Sequence, residues 1–241
     1  FLLSLFLLVP VLSIAQNVGY PESFSEKMPL YDVALGDFEY TISSNNEISQ
    51  SYFNQGFQMM YAFTKVDAAR SFREAQKADP SCSICYWGEA WAWSSYLNGA
   101  MNSSEAPRAY EKIQEAIDKA KENGSQKEKD IIKAFSVRYV KDFDSNTRAI
   151  QDTLYSKEME KLSSKYSKDL DIATLYGESL FLLEPRRGTR DVNDPDVKKL
   201  HSVLEEILEK NIKHPGACHL YIHATESTQN PEWAEPCAEF I

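Results

Sequence analysis

Three of the four histidines, His214, His219 and His223, fall in one short segment with Glu226 beside them. On a helix turning about 100° per residue, His219, His223 and Glu226 lie within roughly 60° of one another, while Ala217, Leu220, Tyr221 and Ala224 form a separate apolar face. Two imidazoles at i and i+4 with a carboxylate nearby suit a borderline divalent metal such as zinc, and His214 is a candidate further ligand from the preceding loop. A water on that metal would be activated for hydrolysis, with Glu226 as a ligand or instead as its general base. The segment lacks the Glu directly after the first His that marks the common zinc-protease helix, so a plain polar helix face is the competing reading.

Cysteines form the second chemical set. Residues 1–15 are almost wholly apolar and end in Ser13-Ile14-Ala15, which fits the small-x-small rule for signal-peptide cleavage and predicts a partial signal peptide on a secreted or periplasmic chain. Export to an oxidising compartment makes two disulfides the simplest fate of four cysteines, with the local pairing Cys82–Cys85 and Cys218–Cys237 favoured by sequence proximity among three pairings. A redox role for Cys82-x-x-Cys85 at a helix start is the alternative, because a helix N-terminus stabilises a thiolate. The βαβ setting of thioredoxin chemistry is missing, which favours a structural bridge. Tyr86, Trp87, Trp91 and Trp93 crowd the next helix and serve mainly as core. The face carrying Glu89 and Trp93 is expected to share a ligand groove with the histidine stripe, since aromatic walls with a few carboxylates suit carbohydrate, peptide or aromatic ligands.

Helices must position all of these groups. Residues 16–48 are broken by Pro21, Pro29, Gly19 and Gly36 and predict an extended arm. Apolar residues then recur at steps of three and four: Phe53, Phe57, Met60 and Tyr61; Tyr110, Ile113, Ile117 and Ala120; Ile172, Leu175, Tyr176, Ser179 and Leu183; Leu200, Leu204, Ile207 and Leu208. Ser125-Gln126-Lys127-Glu128 is a capping box, and Asp194-Pro195 opens another helix. The pattern predicts an all-α chain of about nine helices joined by short loops.

From Ser49 to Cys82, Gly56, Ala68, Phe72, Ala75 and Pro80 occupy the small, small, aromatic, small and proline positions of a tetratricopeptide unit of roughly 34 residues. A second unit opens at Cys85-Tyr86-Trp87-Gly88-Glu89-Ala90, and looser ones run from Asp171 to Pro215 and from Gly216. Pro80 and Pro215 are each followed six residues later by Tyr86 and Tyr221, and His223 stands where the earlier unit has Gly88. The expected fold is therefore a right-handed solenoid of tetratricopeptide-like helical hairpins over residues 49–241, with the histidine stripe on its concave face.

The Cys-x-x-Cys-Tyr-Trp-Gly-Glu-Ala stretch at 82–90 and the His-Pro-Gly-Ala-x-His-x-Tyr-Ile-His-Ala-x-Glu stretch at 214–226 resemble those of a family of exported bacterial tetratricopeptide-like proteins. The resemblance spans most of the chain after the signal and assigns no activity. It implies a further His-bearing helix beyond Ile241, so the chain is expected to be truncated and its site shared with the missing part. It also implies a ligand-contacting Asn98, although the loop Ser94 to Asn102 departs from the Gly-Pro-Asn turn of that family.

Composition narrows the function. Thirty-six acidic against 26 basic residues, a net charge of −10 and a pI near 5.0 disfavour duplex nucleic acid and anionic membranes as partners. After signal cleavage no segment is apolar enough for stable membrane insertion. The basic run Arg186-Arg187-Gly188-Thr189-Arg190 reads as a solvated loop. Phosphate-binding Gly-rich loops, Gly-x-Ser-x-Gly elbows and dinucleotide fingerprints do not occur. The leading expectation is a scaffold binding a protein, peptide or small-molecule ligand in its concave groove; the alternative is a metal-binding protein or metal-dependent hydrolase centred on His214, His219, His223 and Glu226.

Overall fold

A computed structural model describes residues 19–31, 35–185 and 188–240. The expected signal segment 1–15, and Arg186 and Arg187 of the basic run, lie outside the described residues. The chain is all-helical: α1 (Glu47–Tyr61), α2 (Lys65–Ala78), α3 (Ser83–Trp93), α4 (Ala106–Ala120), α5 (Gln126–Ser136), α6 (Arg148–Lys165), α7 (Leu170–Phe181), α8 (Pro195–Lys210), α9 (Pro215–Thr225) and α10 (Glu235–Ala238). Among the described residues the only extended pairing is a single bridge between Tyr96 and Gly99. No helix among them is long and apolar enough to cross a membrane.

Each helix through α9 packs on the next, and α9 also packs on α7, on α10 and on α1. Phe53, Phe57, Phe72, Trp87, Phe135 and Tyr155 are fully buried at the centre of the larger core, and Leu200, Leu204, Ala217 and Leu220 lie in a second one where α8 meets α9. The Phe72 ring shows why small residues are needed on both sides of it. A Cβ added at Gly56 would come within 2.9 Å of that ring and one at Gly88 within 2.4 Å, so α1 and α3 close on α2 with no room for a methyl group.

Helix ends follow local chemistry. Asn46 caps α1 by accepting from the Ile48 and Ser49 N–H groups, which starts that helix two residues earlier than the apolar period indicates. Ser125 and Glu128 form the expected capping box of α5. Leu183 is 46 % exposed rather than part of the apolar face, because α7 stops at Phe181.

The N-terminal segment is irregular but closely docked. Asn and Gln side chains of α1 satisfy its backbone: Gln55 accepts from the Tyr31 N–H and donates to the Pro29 carbonyl. Gln50 accepts from the Ile42 N–H and donates to the Tyr40 carbonyl, while Asn54 accepts from the Tyr40 N–H. Backbone groups that make no secondary structure must be paired when buried, and here a ladder of amides on one helix does it.

Candidate metal site on the ninth helix

His214 is the N-cap of α9. Its Nδ1 accepts from the Ala217 N–H at 3.2 Å, so its proton resides on Nε2, which faces Asp171 Oδ1 at 3.2 Å. The same carboxylate oxygen accepts from the Tyr61 hydroxyl at 2.9 Å. With both ring nitrogens engaged and the residue 3 % exposed, His214 is a structural histidine that fixes the start of α9, contrary to its expected role as a further metal ligand. Among the described residues no three His, Cys, Asp or Glu side chains gather as a metal-holding group.

His219 and His223 do come together. His219 Nδ1 lies 2.5 Å from the Tyr61 carbonyl at the end of α1, and His223 Nδ1 lies 2.7 Å from Glu226 Oε1. A carbonyl and a carboxylate both accept, so each Nδ1 carries the proton and each Nε2 presents a lone pair. The two Nε2 atoms are 3.2 Å apart. Two acceptors at that distance repel unless a proton or a cation lies between them. Two bonds of about 2.0–2.1 Å meeting at a tetrahedral angle set a nitrogen separation of about 3.3 Å, so the pair is spaced for a shared metal. Metal-bound imidazoles characteristically donate their other N–H to a carboxylate or a carbonyl, and both do so here. Burial is the main cause of the lowered pKa of His219, which favours the neutral, ligand-competent imidazole. Glu226 acts through His223 by orienting its ring, rather than standing free as a base.

Phe63 forms the floor of this site. Its ring stacks on His219 at 4.0 Å and, at 5.6 Å, nearly parallel to His223. It is the residue after the C-cap of α1, where the Thr64 N–H reaches the Met59 carbonyl and the Phe63 N–H reaches the Met60 carbonyl, the pattern of a Schellman cap. That motif needs the left-handed region, usually filled by glycine, yet Phe63 holds φ 60°. A bulky residue there costs on the order of 1–2 kcal/mol; what it gains is an aromatic face under both imidazoles.

The other candidates separate from the pair. Glu89 is fully buried. It accepts from Gln76 at 2.8 Å and from the Trp93 indole at 3.4 Å, and burial pushes its carboxyl above the usual range. Phe24 and Tyr20 of the N-terminal segment cover Trp93 at 5.5 and 6.2 Å. The expectation that Glu89 and Trp93 share a groove with the histidines is thus corrected, because the chain's own N-terminal segment occupies their face. Asn98, in contrast, is exposed and lines a cavity of about 130 Å³ with His223, Glu226 and Arg190. A larger groove of about 1040 Å³ runs past His219, His214 and Asp171.

Cys82 and Cys85 form a disulfide at the start of α3. Cys218 and Cys237 are free, buried thiols, in place of the expected second bridge. The Cys218 thiol donates to the Ile212 carbonyl, and burial raises the pKa of both groups.

Nothing in the sequence pattern marked Phe63 or Tyr61 as site residues. Compared with protein-family models, with curated proteins and with solved structures, the chain finds no match.

Proposed function

We propose that this chain is an exported tetratricopeptide-like helical-repeat protein that binds one divalent transition metal, such as zinc, through His219 and His223. The observation that carries the reading is the Nε2 to Nε2 separation of 3.2 Å with each Nδ1 committed to an acceptor. Two protein ligands leave coordination positions open, which suits a metal that captures a ligand or activates a water. The solenoid arrangement, the relationship to exported bacterial repeat proteins and the secreted or periplasmic location belong to the same proposal. They are supported by the close packing of Gly56 and Gly88 on Phe72 and by the apolar N-terminal segment.

Calorimetric titration with zinc or cobalt tests the site. The expected result is one metal per chain, lost in the His219→Ala/His223→Ala double variant. A wild-type chain that binds no metal, or a double variant that binds it unchanged, sinks the proposal. The second reading is a metal-independent scaffold whose groove takes a peptide, protein or small molecule, and the groove of about 1040 Å³ beside His219 favours it. Retention of the same partner from secreted extract by wild type and double variant alike would select that reading.

A further inference from the structure

The groove beside His219 has a composition that selects its occupant. Its walls are largely apolar, with Phe38, Leu170 and Phe240 among the lining side chains. Asp37, Glu39, Asp169 and Asp171 line it as well, against the single lysine Lys213. Burial lowers the pKa of His219, so that imidazole adds no compensating charge at neutral pH. The carboxylates differ in what they already hold. Asp169 caps α7 and pairs with Lys127 at 3.0 Å, and one oxygen of Asp171 serves both Tyr61 and His214. Asp37 and Glu39 are exposed, and among the described residues their carboxylates meet no hydrogen-bond donor and no cation.

We infer that this groove docks a basic peptide segment, whose lysine or arginine side chains meet Asp37 and Glu39 while its apolar side chains lie along Phe38, Leu170 and Phe240. Opposite charge on two partner surfaces selects among partners and speeds their encounter. A bare polyamine would leave the apolar walls uncovered, and an acidic peptide would bring no cation to the two open carboxylates. Size agrees. The groove, about 1040 Å³, stands at the upper end of the roughly 300–1,000 Å³ of small-molecule pockets and suits several residues of a peptide. A second opening, about 720 Å³, continues from it along residues 35–39, where the exposed Leu30 and Tyr31 join Asp37 and Glu39. The two carboxylates thus line both openings. The inference deepens the groove reading of this protein and does not depend on a metal being bound.

Fluorescence anisotropy tests this with a labelled peptide of lysine, leucine and glycine, in the presence of a chelator and at about 0.15 M salt. The chain should bind it saturably, and should bind a peptide of the same length with glutamate in place of lysine at least about tenfold more weakly. Asp37→Asn/Glu39→Gln should lose about tenfold in affinity for the lysine peptide, the worth of two exposed ion pairs. Both positions are exposed, so the substitutions leave the core intact. Asp118→Asn/Glu122→Gln, an equal change of charge on exposed residues outside the groove, should bind like wild type. Equal binding of the two peptides, unchanged binding in Asp37→Asn/Glu39→Gln, or equal losses in the two double variants overturns the inference while leaving a groove that binds peptide. Binding of neither peptide up to about 1 mM overturns it together with the peptide form of the groove reading. Because the chelator removes metals, failure here is distinct from failure of the metal site.

Discussion

Replacing Gly216 with alanine should damage the fold and the proposed metal site together. A Cβ at Gly216 would lie 2.3, 2.5 and 2.6 Å from three carbons of the Tyr61 ring, about 1 Å inside ordinary van der Waals contact. That ring cannot swing aside: it packs edge-on against Phe57 at 5.1 Å and Trp91 at 6.2 Å, and its hydroxyl is held by Asp171. Helix α9 must therefore move away from α1. Overpacking of this kind costs about 1–3 kcal/mol, and three simultaneous contacts place it toward the upper end. Better helix propensity returns up to about 1 kcal/mol. The net loss of about 2 kcal/mol corresponds to a Tm lowered by about 4–8 °C for a chain of this size. The same displacement would stretch the 2.5 Å contact from His219 to the Tyr61 carbonyl beyond hydrogen-bonding range, and losing such a support costs about 10–100-fold in metal affinity. Thermal unfolding and zinc titration read the two effects separately. Gly88→Ala is the control, since its Cβ would strike Phe72 at 2.4 Å and leave the contact between α1 and α9 alone. If Gly216→Ala loses stability yet binds zinc like wild type, or Gly88→Ala weakens zinc equally, the argument that helix spacing sets the site is wrong.

Burial holds the Glu178 carboxyl above the usual 4.5. Its raised value means that the associated stability is fully present below pH 4.5 and is lost as pH rises through the folded-state value. Urea unfolding at stepped pH should thus show wild type losing ground to Glu178→Gln on going from acid to neutral; parallel profiles would contradict this. Phe72→Ala should cost about 3–5 kcal/mol in denaturant unfolding, because the ring is fully buried between two glycines that cannot fill the void. Thiol titration in urea without reductant should count two reactive groups, Cys218 and Cys237, and four after reduction. A count of zero before reduction would mean that the second bridge forms after all.

The helices were legible because their signals are local. Asp194 before Pro195, the capping box at Ser125 and the steps of three and four in α1 and α8 depend on neighbours within a turn or two. The closeness of His219 to His223 followed from helical spacing in the same way. What the sequence could not show depends on distant partners. His214 shares the histidine cluster in sequence but is claimed by the N-cap and by Asp171 from another helix. Glu89 and Trp93 lie under Tyr20 and Phe24, residues read only as part of an extended arm. Phe63 carries no signal at all, since a phenylalanine in the left-handed region is recognisable only once its ring is found against His219.

The bond from His219 to the Tyr61 carbonyl joins residues 158 positions apart. Loop closure across such a separation is entropically demanding and belongs to the slow part of folding. The early helices can pair through neighbours, but the imidazole pair acquires its final orientation only when α9 docks back on α1. Metal capture would then serve as a clock for the last event of folding, with nascent or partly folded chains unable to compete for the ion.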